Sequence, residues 1–287
     1  MKQPLEADER LARIEANAKR FPVPRMVLHP DNEDSLAICG FSPSLKYTWR
    51  DALRCDAIMT CSGAYDFMVD NGVIPDYHAE LDPREHKVAF VRNSHEGTKY
   101  FIAAHCHPKM FSTLKQRDVT MYYAFTMDDK KRQQEQYASL EGISGGMFYG
   151  RSNAGILSIS IGRALGYRKF DLHGMDCCYP DGEIWAGKHT GTPHGKVTIK
   201  VDGRKFITSN LMMESTDDFF RSLLVMPNVT FNIHGDGLLR ARLKLYKKDP
   251  EFALSKDWWK PVDFELKKPE LYLGNIGNLS FASVGYG

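Results

Sequence analysis

The chain has 287 residues, of which 43% are hydrophobic and 26% charged, with a formal net charge of +2. That length buries a substantial core as one large domain or two small ones. The near-neutral balance gives no argument for nucleic acid by itself, and no run of about 18 apolar residues marks a conventional transmembrane helix. The polar opening "MKQPLEADERLARIEANAKRF" is not a secretory signal, so a cytoplasmic setting is expected. The six cysteines, at 39, 55, 61, 106, 177 and 178, lack paired metal-ligand spacing and read as reduced, mostly buried thiols.

Residues 4–20 place Ala7, Leu11, Ile14 and Ala18 on one helical face, an amphipathic helix expected to pack on the outside of the core. After "FPVPR" short apolar runs follow at 35–39, 56–61, 77–81, 99–104 and 119–125, with helical spacing between several of them at 46–53, 63–71 and 108–115. This alternation predicts an α/β fold: a Rossmann-like, mainly parallel sheet with helices on both faces. Residues 127–141 are polar, a helix or a solvent-facing excursion, and the Gly/Ser-rich stretch 142–155 leads into a buried helix. A strand at 168–176, a β-hairpin at 197–208 turning on Asp202-Gly203, a helix at 214–224 and a strand at 229–235 complete the pattern. The expected organisation is an N-terminal helix (1–25), a Rossmann-like domain (26–240) carrying the hairpin as an insertion, and an irregular C-terminal extension (241–287).

In such a sheet ligands bind outside the carboxyl ends of the strands. Gly40, Ser42, Pro43 and Ser44 follow the first strand, Ser62 and Gly63 the second, Asp82-Pro83-Arg84 the third, His105 and His107 the fourth, and Gly174-Met175-Asp176 a later one. The loop 40–44 is a tight turn in one reading. In the other, its amides and the following helix N-terminus hold a phosphate, and the convergence of Gly40, Ser42, Ser44, Ser62 and Gly174 on one edge favours this second reading.

"PDYHAELDPR" alternates Asp76, His78, Glu80 and Asp82 onto one strand face, with Asp82 at the carboxyl end as the functional candidate. Asp76 serves equally well as a turn cap. "YGRSNAGILSISIGRALGY" sets Arg151, Ser152, Asn153 and Gly155 at a helix N-terminus. Ser152 or Asn153 is an N-cap there, or an anion lies on the exposed amides with Arg151 beside it; the glycine-rich approach favours the anion. "HGMDCCYPDGEIWAGKHTGTPHGK" offers His173, Asp176, Asp181, His189 and His194. His189, in a Gly-rich segment able to close over the strand ends, is preferred to His194 as a proton acceptor. "CSGAY" lacks the G-x-S-x-G elbow of a serine nucleophile, and no H-E-x-x-H pair occurs. The basic run at 240–248 reads as a solvated helix face, or else as a surface for a nucleic-acid backbone through Arg240, Arg242 and Lys244.

The order "ICGFSPSL", "GVIPDYHAELDP", "SNAG" before a helix ending "ALGY", "DLHGMDCCY" and "DGRKFITS" resembles the domain shared by 6-hydroxymethylpterin diphosphokinase MptE-like proteins and motility-associated factor (Maf) glycosyltransferases, over roughly residues 30–240. The family's glycine-rich G-x-G-P-S-L-like loop stands here as Gly40-Phe41-Ser42-Pro43-Ser44-Leu45, with Ser42 where glycine is usual. A more distant similarity is to bacterial CMP-sialic acid-dependent sialyltransferases, whose nucleotide-holding Ser-Gly turn is loosely matched by Ser152 and Gly155 and whose histidine base has its closest counterpart in His189.

The resemblance implies a transferase using a nucleotide-activated donor, such as a CMP-sugar, held by the loop 40–45 and the turn 152–155. Asp82 and Asp176 would orient hydroxyls or a Mg²⁺ ion, and His189 would deprotonate a small-molecule or macromolecular acceptor. The alternative is Mg²⁺-dependent diphosphate transfer from ATP to a hydroxymethyl heterocycle such as 6-hydroxymethylpterin, or a related transfer onto a hydroxymethylated base in DNA. A third reading is a nucleotide-binding protein without catalysis.

Overall fold

The computed structural model describes residues 5–125, 147–149, 153–187, 195–226, 228–255 and 257–261. Each apolar run of the first half becomes a strand: β1 (Ser35–Cys39), β2 (Ala57–Cys61), β3 (Tyr77–Glu80), β4 (Lys99–Ala103) and β5 (Asp118–Phe125). Between them lie α2 (Leu45–Ala52), α3 (Ala64–Asp70), a 3₁₀ helix (Glu85–Val91) and α4 (Pro108–Thr113), all after α1 (Ala7–Arg20). The second half adds β6 (Met147–Tyr149), α5 (Ala154–Ala164), β7 (Lys169–His173), β8 (Val197–Val201), β9 (Arg204–Thr208), α6 (Asn210–Val225), β10 (Thr230–Ile233), α7 (Leu238–Lys248), α8 (Pro250–Leu254) and β11 (Lys260–Pro261).

Among the described residues eight strands form one sheet in the order β10-β7-β1-β2-β3-β4-β5-β6, with every neighbouring pair parallel. This is the Rossmann-like α/β architecture the alternation predicts. Parallel pairing demands crossover connections, and their helices bury both faces of the sheet. Successive residues of β1 accordingly serve two cores: Leu36 and Ile38 join Phe170, Leu172 and α5 on one face, while Ala37 and Cys39 meet Leu45, Trp49 and Ala52 of α2 on the other. Helix α5 lies directly on the sheet, since a Cβ at Gly162 would come within 2.6 Å of Leu36 and 2.7 Å of Phe170. Its Ile156, Leu157, Ile159 and Ile161 are buried, each stabilising the fold by about 1.5–3 kcal/mol.

The hairpin turns where expected, with Asp202 at φ 45° and Gly203 at φ 82°, the two left-handed positions a type I′ turn requires. It pairs with β11 in a separate antiparallel sheet, β11-β8-β9.

Helix α1 packs on the outside of the core by one face, as expected: Ile14 is buried in the main core while most of the helix is exposed or half-buried, and the Asn17 side-chain amide donates to the carbonyls of Ala104 (2.8 Å) and Cys106 (2.9 Å) beyond β4. The expected division at 240 crosses continuous packing, because Leu238, Leu239, Leu245, Trp258 and Trp259 belong to the same core cluster as the sheet. The excursion at 127–141 and the tail beyond 261 lie outside the described residues. Among the described residues no helix is long and apolar enough to cross a membrane.

Candidate functional site

The chain lays down β1 to β6 in one direction and then places β7 and β10 on the other side of β1, so the strand order reverses between β1 and β7. A crevice outside the carboxyl ends of the strands forms at such a point. Here two loops meet in it. The amide of Gly40 donates to the His173 carbonyl (2.8 Å), that of Ser42 to the Gly174 carbonyl (2.9 Å), and that of Ser44 to Oδ2 of Asp176 (2.9 Å). Leu45 and Lys46 donate back to Ser42 and Pro43. These amides are therefore bonded within the protein, and the anion at the start of α2 is the Asp176 carboxylate.

The two glycines serve that contact. Gly174 has φ +59°, and a Cβ on either Gly40 or Gly174 would overlap the other's carbonyl. Gly40, Ser42, Ser44 and Gly174 are thus brought together, but as one another's partners.

Asp176 is 1% exposed. Burial raises its carboxyl above the ordinary range; the Ser44 side chain and amide pull the other way, and Asp236 adds to the rise. Its second oxygen, Oδ1, and the Ser44 hydroxyl are both buried without a partner at hydrogen-bond geometry. Gly235, at φ +84°, covers them: a Cβ there would stand 2.7 Å from Ser44 Oγ and 3.1 Å from Asp176 Oδ1.

Asn153 caps α5, its side-chain oxygen accepting from the Gly155 amide at 2.7 Å. Gly155 in turn faces Met175, which carries the start of α5 to the β7 loop. Ser62 occupies a left-handed position at φ 52° between β2 and α3, and its neighbour Gly63 lies under the Phe41 ring. The Phe41 carbonyl accepts from the Ala186 amide (3.0 Å), and Gly187 touches the Phe41 ring. His189 follows two residues later; it, His194, Arg151 and Ser152 lie outside the described residues.

Asp82 stands apart from this cluster. Its strand, β3, is three places from β7, roughly 14 Å at about 4.8 Å per spacing. The carboxylate is held by the Arg84 amide and guanidinium, with Lys87 Nζ at 3.9 Å. Burial pulls its pKa up, but the Arg84 hydrogen bonds and the two positive charges outweigh this and leave it below the ordinary value. A Mg²⁺ ion shared by Asp82 and Asp176 does not fit these residues: they sit at separate strand ends, and one carboxylate is already neutralised. Nearby, His105 is buried with Nε2 at 2.8 Å from the Leu81 carbonyl, and burial lowers its pKa to about 3.

The basic run at 240–248 is not a continuous basic face. Arg242 is buried, paired with Asp217, hydrogen-bonded to Thr216 and the Ala253 carbonyl, and packed 3.9 Å from the Trp258 ring centroid. Arg240 donates to the Gly235 carbonyl.

One group escaped the sequence reading. "FDLHG" (170–174) and "FNIHG" (231–235) are the same pattern on neighbouring parallel strands, paired Phe170 with Phe231 and Asp171 with Asn232. The pairing stacks the His173 and His234 rings with centroids 4.0 Å apart.

The sequence profile described as "MptE-like: 6-hydroxymethylpterin diphosphokinase MptE-like" matches residues 11–182. The chain belongs to this MptE-like family. Among solved structures, the MptE-like chain is similar to the Maf glycosyltransferase from Magnetospirillum magneticum AMB-1, with a TM-score of 0.60 and 15% identity. The match covers 86% of this chain but only 42% of that one, and at this identity it shows the shared Rossmann-like fold. No curated protein matches the MptE-like chain.

Proposed function

We propose that the protein is a transferase that takes a nucleotide or diphosphate-activated donor into the crevice between the β1 and β7 loops. Membership of the MptE-like family supports a transferase. The observation that carries the site is the reversal of strand order between β1 and β7, where the Asp176 loop meets the Asn153-capped start of α5 through Met175 and Gly155. Because the amides of Gly40, Ser42, Ser44, Leu45 and Lys46 are already bonded, the donor's phosphates are assigned to the first turn of α5, with Arg151 and Ser152 from the preceding segment. An unpaired N–H group at a helix start favours negative charge. Asp176, through Oδ1, is the acceptor for a donor hydroxyl. His189 takes the proton of the acceptor hydroxyl as it attacks the donor and the phosphate leaves.

A glycosyl-type transfer is the leading reading. Diphosphate transfer to a hydroxymethyl heterocycle is the second, supported by the description of the family.

Thermal denaturation of the protein with CMP, UDP, GDP, ADP or ATP, each with and without Mg²⁺, tests the site, since a ligand that binds the native state raises its stability. A metal-independent rise with CMP or UDP supports glycosyl transfer, and a Mg²⁺-dependent rise with ATP supports diphosphate transfer. No rise with any of the five removes the nucleotide-donor reading.

A further inference from the structure

We propose that Asp171, His173 and His234 form a binding site for a divalent transition-metal ion of the zinc class, at the flank of the sheet beside the proposed donor crevice. The backbone brings the three together. Asp171 and His173 are two residues apart on β7 and so share a face, the one covered by α2. On β10, Asn232 pairs with Asp171, and the His234 amide extends the ladder to the Leu172 carbonyl at 2.9 Å, setting His234 beside His173. One ligand atom from each of Asp171, His173 and His234 lies within 4.8 Å of the other two.

Two observations point to a missing cation. First, His173 is 0% exposed and neither ring nitrogen meets a partner at full hydrogen-bond geometry, although the Thr48 backbone lies close enough to act on the ring as a hydrogen-bonding group. An imidazole carries two polar nitrogens, and each one buried unmet costs about 1–3 kcal/mol. Second, Asp171 and His234 already face each other as a cation would need: Asp171 Oδ1 is 2.7 Å from His234 Nε2, and the Asn232 side-chain nitrogen is 2.8 Å from that oxygen and 2.9 Å from that ring nitrogen. Without a metal, a proton on Nε2 bridges the pair and the Asn232 amide donates to the same oxygen. A cation taking the lone pairs of Oδ1 and of a deprotonated Nε2 replaces that proton, and Asn232 then orients the ligand atoms from outside.

The spacing suits metal bonds. Ligands at about 2.1 Å from an ion stand roughly 3–3.4 Å apart, so Asp171 and His234 need small adjustments and His173 a turn of its ring out of the stack. Two imidazoles and a carboxylate favour zinc, cobalt, nickel or copper over magnesium. Three protein ligands leave a position for water or a ligand oxygen, as in catalytic rather than structural zinc sites. Asp51 and Cys55 act on the cluster electrostatically from α2 and the turn after it.

The test uses the full chain, stripped with chelator and titrated with Co²⁺, then with Zn²⁺. The expected result is a visible Co²⁺ spectrum that one equivalent of Zn²⁺ abolishes, with a rise in melting temperature. His234→Gln and Asp171→Asn, both at partly exposed positions, should weaken binding by about tenfold or more. His86→Gln, on the 3₁₀ helix, should leave it unchanged. Absence of a Co²⁺ spectrum, or full affinity in His234→Gln, overturns the site. X-ray absorption of the unaltered zinc-loaded protein gives a check that needs no variant: a shell of nitrogen and oxygen with two imidazoles supports it, and sulfur in the shell overturns it.

Discussion

The Asp176 carboxylate accepts the Ser44 amide at 2.9 Å, so the start of α2 is capped by an anion arriving from the loop after another strand. Two demands meet in that contact. The helix start favours negative charge, while burial disfavours it and raises the carboxyl's pKa. With the folded-state pKa above the unfolded one, this group's contribution to stability is present in acid and lost as pH rises through the raised value. Asp176→Asn keeps an oxygen for the Ser44 amide and removes the charge. It should melt at or above the parent at pH 7, the gap closing as pH falls. Asp176→Ala leaves the amide unmet and should lose about 1–3 kcal/mol in denaturant unfolding. An asparagine variant less stable than the parent at pH 7 would sink this account.

The contact between the two loops leaves no room for a side chain. Gly174 combines a left-handed backbone with contact against the Gly40 carbonyl. Gly174→Ala should therefore cost on the order of 3 kcal/mol or more, from strain and from parting the loops. Gly182→Ala provides the comparison: it shares the positive φ but has nothing within 4 Å of the added carbon, so only the strain remains. Equal melting temperatures for the two variants would contradict the steric argument.

His105 predicts acid sensitivity. Burial holds its pKa near 3, below the ordinary 6.5, so the unfolded chain binds the proton first. Stability from this group is complete above the ordinary value and falls as pH drops toward the folded one, by up to about 1.4 kcal/mol per pH unit. Chemical denaturation between pH 6 and 4 should show a shallower decline for His105→Gln than for the parent. Parallel declines would mean that other groups govern the acid limb.

Arg242 and Lys244 are two residues apart and should behave oppositely. Arg242 is inside, against Asp217 and Trp258, and Arg242→Ala leaves a partly buried carboxylate unpaired, a loss of about 3–5 kcal/mol. Lys244 is exposed, and Lys244→Ala should stay within about 0.5 kcal/mol. If this helix carries a nucleic-acid backbone, neutralising Lys244 and Lys247 lowers low-salt DNA affinity while the melting temperature holds. Unchanged or undetectable binding in a filter assay would dismiss that partner.

The sheet was readable because its signals are local: apolar runs of strand length separated by stretches with helical spacing. The turn at Asp202-Gly203 was equally local. What escaped the sequence was pairing across distance. Nothing in "GFSPS" reveals that its amides are taken by Gly174 and Asp176, since a loop that cradles phosphate and a loop that cradles another loop share one composition. The burial of Arg242 depends on Asp217 and Trp258, remote in the chain, so a basic run looked solvated. The repeat of "FDLHG" in "FNIHG" was visible in the sequence, and comparing strand ends with one another would have found it.

The reach of Asn17 also constrains how the molecule is built during synthesis. Its carbonyl partners stand 87 and 89 residues further along the chain. As translation proceeds from the N-terminus, α1 is made long before β4 and the turn after it exist to receive it. An isolated helix of 14 residues is marginal in water. Helix α1 thus docks only after β4 and the turn beyond it have been made, and until then the apolar face of Ile14 has no core to enter.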